Sequence, residues 1–134
     1  MATNRFGLKP SDTRDPKEAI AEAEVVHVKE LLEKDFEAQV IAAPLPVVVD
    51  FYAADSKPCE VLAPRYAAVA GKFAGKVLFL KVARASNAAL ATKLGVSGNP
   101  TVLFFKNGKE LGDRLSGEEI PRTALKAGVE ALLK

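Results

Sequence analysis

At 134 residues the chain has room for one domain with its own core, and its 49% apolar and 27% charged side chains suit a folded globular protein. A formal charge of +2, with no basic run interleaved with aromatics, speaks against a nucleic-acid groove. No apolar run approaches the roughly 20 residues of a membrane helix, and a single cysteine with a single histidine leaves neither an internal disulfide nor a Cys/His zinc site, so no membrane, metal or cofactor is expected.

Residues 1 to about 14 are polar and aperiodic and read as a loose tail without the apolar stretch of a secretory signal, which suits a cytoplasmic protein. Asp15-Pro16-Lys17-Glu18 then starts a short helix to about Glu24, with an acid at the N-cap, Pro at the first helical position and Glu three residues after the cap. Its thin stripe of Ala19, Ile20 and Ala23 predicts docking rather than a central place. Residues 1–24 therefore form an extension ahead of a domain spanning 25–134.

Val25 to Val28 predicts a strand reaching about Leu31, and Phe36, Val40 and Ile41 predict a short helix from about Lys34 to Ala42, closed by Pro44 and Pro46. Val47 to Tyr52 is almost continuously apolar and β-branched, the pattern of a strand buried on both faces. Leu62, Tyr66, Val69, Ala70 and Phe73 recur at helical spacing from about Lys57 to Ala74, with a kink expected at Pro64. A second buried strand covers Val77 to Val82, and Ser86 or Asn87 caps a short helix ending near Leu94-Gly95. Thr101 to Lys106, Asn107-Gly108, and Lys109 to about Leu115 form a β-hairpin, because Asn-Gly supplies the positive φ angles of a two-residue turn. A last amphipathic helix runs from about Ile120 to Leu133. The order β-α-β-α-β-α-β-β-α predicts an α/β fold, with a mixed sheet of four to five strands and helices on both faces.

The chemistry concentrates where the Val47 strand ends. Asp50-Phe51-Tyr52-Ala53 leads through Ala54-Asp55 to Ser56-Lys57-Pro58-Cys59 at a helix start. Ser56 is a preferred N-cap, and its oxygen is placed to accept the amide of Cys59. A serine hydrolase is not supported, because His27 belongs to an early strand and no other base lies near the loop. Asp50 and Lys81 each interrupt a buried apolar strand, which is costly unless they are paired.

These segments resemble the thioredoxin family. Asp50-Phe51-Tyr52-Ala53 is similar to the strand end before its active site. Pro58-Cys59 with Ala63-Pro64 resembles the second half of its Cys-Gly-Pro-Cys helix. Gly98-Asn99-Pro100-Thr101 resembles its Gly-Ile-Pro-Thr segment, and Phe105-Lys106-Asn107-Gly108 its last hairpin. The resemblance covers about four-fifths of the chain and implies a thioredoxin fold in the lineage of protein-disulfide reductases.

In that family the first cysteine attacks a client disulfide and the second resolves the mixed disulfide, the first sulfur being favoured as thiolate by the amides and dipole of a helix start. The resemblance puts Ser56 at the nucleophile position and Cys59 at the resolving position, with Asp50 as a buried acid/base and Lys81 as its partner. Burial favours the neutral form of Asp50 and Lys81 favours the carboxylate. It also implies client contacts at Asp55, Lys57, Pro58, Asn99 and Pro100, the last as a cis-proline. Asp55 stands where tryptophan is usual, Lys57 where glycine is common, and Asn99 where an aliphatic residue is usual.

Three readings stay open. The chain is a disulfide oxidoreductase lacking its nucleophile, whether Ser56 is natural or engineered; or a natural single-cysteine adaptor or chaperone using the groove near Pro100; or a monothiol protein whose Cys59 forms mixed disulfides with glutathione or a partner. The implied partners are client proteins with disulfides or thiols, and a thioredoxin reductase-type donor if position 56 is natively cysteine. A monomer is expected.

Overall fold

The computed structural model describes residues 27–98 and 100–134. The N-terminal tail, the helix expected after Asp15, Val25, Val26 and Asn99 lie outside the described residues. The strands are β1 (Val28–Glu30), β2 (Val47–Tyr52), β3 (Leu78–Ala83), β4 (Thr101–Lys106), β5 (Lys109–Glu110) and β6 (Leu115–Ser116). The α-helices are α1 (Lys57–Lys72), α2 (Ala88–Lys93) and α3 (Arg122–Leu132). Together the strands form one mixed sheet in the order β1-β3-β2-β4-β5, with β6 also on β4. β3 is parallel to β1 and β2, whereas β4 is antiparallel to β2, β5 and β6.

Because side chains alternate across a strand, the near-continuous apolar runs of β2, β3 and β4 feed two separate cores. Val48, Phe79, Val102 and Phe104 pack under α1 and α3 with Leu62, Tyr66, Val69, Leu125, Val129 and Leu132. Val47, Val49, Phe51, Leu80, Val82, Leu103 and Phe105 face the other way, toward Phe36, Val40, Leu90 and Ala91. By the same parity Asp50 and Tyr52 follow Val48, and Lys81 follows Phe79, onto the α1 face. Gly128 lets α3 approach β4 closely: a Cβ there would run into the Phe104 ring.

Two local departures from the expected elements have physical causes. The segment read as a helix from Lys34 to Ala42 winds as a 3-10 turn (Glu33–Asp35) followed by a π-type turn (Glu37–Ile41). Its buried anchors Leu31, Phe36 and Val40 are spaced five and then four residues apart, and Glu33 is held from outside. The return strand expected from Lys109 to about Leu115 is two short pieces. Between them Gly112 takes φ +71. Arg114 leaves the ladder there to donate to Glu110 Oε2 (2.7 Å) and to the carbonyls of Leu94 (2.5 Å) and Gly95 (3.2 Å). Pro64 lies inside α1, which continues through it to Lys72.

Asn87 does stand at the N-cap of α2, but no side chain of its own caps that helix. The cap is exchanged across the fold instead. The Glu33 amide donates to Asn87 Oδ1 (2.9 Å), the Leu90 amide donates to Glu33 Oε1 (3.1 Å), and Asn87 Nδ2 donates to the Ala83 carbonyl (2.8 Å). This is capping-box logic carried out between two distant segments.

Candidate functional site

β2 ends at Tyr52, and α1 begins at Lys57 after four intervening residues. Ser56 has extended backbone (φ −96, ψ 125) and is the N-cap of α1, its Oγ accepting the Cys59 amide at 3.4 Å. Its carbonyl takes the Glu60 amide at 3.1 Å. Pro58 sits in the first turn and has no N–H to offer, so Cys59 supplies the amide that the N-cap side chain meets. The expectation for Ser56 thus has direct geometric support: the position next to the orphan amides of a helix start holds a hydroxyl.

Cys59 is half-buried and is the chain's single thiol. Its Sγ accepts the Ala53 amide at 3.3 Å, so the sulfur faces back toward the end of β2. A cavity of about 190 Å³ opens beside it, lined by Asp50, Tyr52, Ala53, Ala54, Cys59, Glu60, Ala63 and Lys81. The structure therefore brings together Cys59, Asp50 and Lys81 from three different elements.

The reason is register. Asp50 and Lys81 are direct partners on the parallel strands β2 and β3, and parity turns both toward α1. Asp50 is 6% exposed, and its Oδ1 is closed to solvent. The Lys81 ammonium lies 5.4 Å from the centre of the Tyr52 ring, a cation–π distance. The Tyr52 hydroxyl in turn donates to the Glu30 carboxylate at 2.9 Å to Oε1 and 3.0 Å to Oε2. A carboxyl group, an ammonium group and an aromatic ring thus line the cavity beside the sulfur.

Asp55 is exposed in the loop between β2 and α1, and Lys57 is exposed with its ammonium 3.8 Å from Glu60, a surface pair of little energetic weight. Pro100 is buried. Since Phe51 pairs with Thr101, Pro100, one residue upstream, borders the end of β2 from which the Cys59 loop departs. It does not line the Cys59 cavity; it lines a neighbouring one of about 400 Å³ with Gly98, Thr101, Arg114 and Ser116. Asn99 and its bond to Pro100 lie outside the described residues. His27 is remote: a Cβ on Gly71 would sit 3.5 Å from its ring, and Gly71 is about 18 Å along α1 from Cys59.

One participant escaped the sequence reading. Tyr66 looked like an ordinary core position of α1, but its hydroxyl is buried beneath the sheet at 3.0 Å from the Val48 carbonyl and 2.7 Å from that of Leu80. Burial pushes its pKa well above 10.0, and the charge of nearby Asp50 pushes the same way, against the opposing Leu80 hydrogen bond. Its signal in the sequence was a polar tip on an otherwise apolar helix face, which periodicity alone cannot weigh.

Among the described residues, no helix is long and apolar enough to cross a membrane, and no three His, Cys, Asp or Glu residues cluster as a metal site. A family model described as Thioredoxin matches residues 27–131. The chain is 34% identical over 103 residues to a thioredoxin of Haemophilus influenzae, covering 77% of this chain and 92% of that one. It is 37% identical over 114 residues to the chloroplastic M-type thioredoxin of Pisum sativum, covering 85% of this chain and 62% of that one. It is also 39% identical over 97 residues to protein disulfide-isomerase A3 of Gallus gallus, covering 72% of this chain and 18% of that much longer one.

Proposed function

Because the chain belongs to the thioredoxin family, in the lineage of thiol–disulfide oxidoreductases, we propose that it engages thiol- or disulfide-bearing client proteins at the α1 start but does not turn them over. The observation that carries this reading is the Ser56 hydroxyl on the Cys59 amide. In the two-cysteine reaction, a thiolate at position 56 attacks a client disulfide and displaces one client sulfur as thiolate. Cys59 then attacks the mixed disulfide, releasing the second client sulfur. The client gains two electrons and two protons, and the protein is left with a 56–59 disulfide for an external dithiol to reduce. Serine stops this at its first step, since a hydroxyl neither ionises there nor exchanges with disulfides.

In this reading Asp50 moves a proton to or from Cys59, held in register by Lys81. Asp55, Lys57, Pro58, Asn99 and a cis Pro100 form the client edge. A monomeric, cytoplasmic protein belongs to the same proposal, as does a reductase-type donor if position 56 is natively cysteine. Insulin reduction with dithiothreitol as electron source tests it. The protein should not accelerate precipitation above the uncatalysed rate, and Ser56→Cys should do so strongly; equal activity in both refutes the reading.

The exposed acid Asp55, in place of an apolar client contact, favours a second reading, that of an adaptor which binds without any sulfur chemistry. Partner capture should then survive Cys59→Ala and weaken with Pro100→Ala, as measured by pull-down under reducing conditions. Capture that requires Cys59 and disappears with reductant would instead assign the interaction to a mixed disulfide.

A further inference from the structure

At the far end of α1, about 20 Å from Cys59 by helix rise, a groove of about 410 Å³ runs between the last turns of α1 and the first turns of α3. Ala68, Val69, Lys72, Arg122, Thr123 and Lys126 line it. Half of this lining is cationic and none of it is acidic. Lys126 lies within hydrogen-bonding reach of Lys72 and pushes its pKa down, first through that contact and then by charge repulsion; slight desolvation and Arg122 add to the effect, and Glu130 opposes it. Two ammonium groups in contact repel each other unless a counter-charge sits between them.

The backbone adds to this field. α3 begins at Arg122 behind Pro121, and no side chain caps it; its first two residues, Arg122 and Thr123, line the groove, so the positive end of its dipole lies at the groove's edge. Ala68 and Val69 supply a small apolar wall. Three cationic side chains and a hydroxyl around one pocket of modest size match a compact, multiply charged oxyanion.

We propose that the α1–α3 groove binds the dianionic phosphate group of a small soluble molecule, bridged by Lys72 and Lys126 and seated on the α3 start beside Arg122 and Thr123. Occupancy there is independent of the Cys59 site, from which it is separated by the length of α1.

The probe is inorganic phosphate, added to the full chain at constant ionic strength balanced with chloride and followed by NMR of the backbone amides and lysine Nζ groups. Phosphate should shift the Lys72, Arg122 and Thr123 amides saturably, where chloride does not. The lowered Lys72 pKa should rise toward its ordinary value with phosphate bound, and also in Lys126→Gln without phosphate. Lys126→Gln and Arg122→Gln should each weaken binding about tenfold; both positions are at the surface, so the fold is kept. The proposal is overturned if phosphate and chloride act alike, if Lys72 titrates with the other lysines from the start, or if both variants bind undiminished. Association with phosphatidic-acid vesicles without a response to free phosphate would overturn it too.

Discussion

Ser56 and Tyr66 show how a single polar atom acts differently at the edge of a helix and beneath a sheet. At position 56 the hydroxyl makes the capping hydrogen bond to Cys59, so the helix start is held, and on the proposed function the same oxygen stops the sulfur chemistry. At position 66 the hydroxyl is enclosed, bonded to Val48 and Leu80 carbonyls, and its pKa is raised by burial and by Asp50. A raised folded-state pKa means that the folded protein holds its proton more tightly than the unfolded chain. The resulting stability is complete below the ordinary phenol value and is lost as pH climbs from there through the folded-state value. Urea denaturation should therefore show a steeper loss of stability between about pH 9 and pH 11 in the native chain than in Tyr66→Phe. The substitution should itself cost about 1–3 kcal/mol near neutrality, from the carbonyls it leaves unbonded. Parallel pH profiles for the two proteins would contradict the assignment.

At the scale of elements, the clasp between Glu33 and α2 decides how a weak segment is held. The turns over Glu33–Asp35 and Glu37–Ile41 have no regular α-helical ladder, and α2 has only six residues, so neither is stable by itself. Asn87, 3% exposed, accepts the Glu33 amide and donates to the Ala83 carbonyl, while Glu33 in turn accepts the Leu90 amide of α2. Asn87→Ala should destabilise the fold by about 1–3 kcal/mol, seen as a lower urea midpoint at unchanged slope. Its hydrogen exchange should speed up first at Glu33 and Leu90. A loss below about 0.5 kcal/mol, the range of ordinary surface changes, would mean that water replaces the clasp.

For the whole molecule, the parts that the sequence made plain are those written in local pattern. The β-branched run Val47–Tyr52, the helical spacing from Leu62 to Phe73 and the Asn107-Gly108 turn each specify an element within a residue or two. The site was legible to the extent that charges inside apolar strands are costly: Asp50 and Lys81 stood out for that reason, and their pairing in register brings both to the cavity beside Cys59. What the pattern could not carry was long-range. The break between β5 and β6 depends on Arg114 reaching Leu94 and Gly95, the α2 cap on Glu33 more than fifty residues upstream, and the Tyr66 role on carbonyls of two strands. None of these leaves a periodic trace.

The proposed function makes the start of α1 a two-cysteine reaction site with one oxygen in place of one sulfur, and the mass of Ser56→Cys after equilibration with oxidised glutathione tests that most directly. If the scaffold is otherwise competent, the variant loses two hydrogens to an internal 56–59 disulfide, while the Ser56 chain gains at most one glutathione. A variant that only accumulates glutathione adducts, with no internal bond, would contradict it.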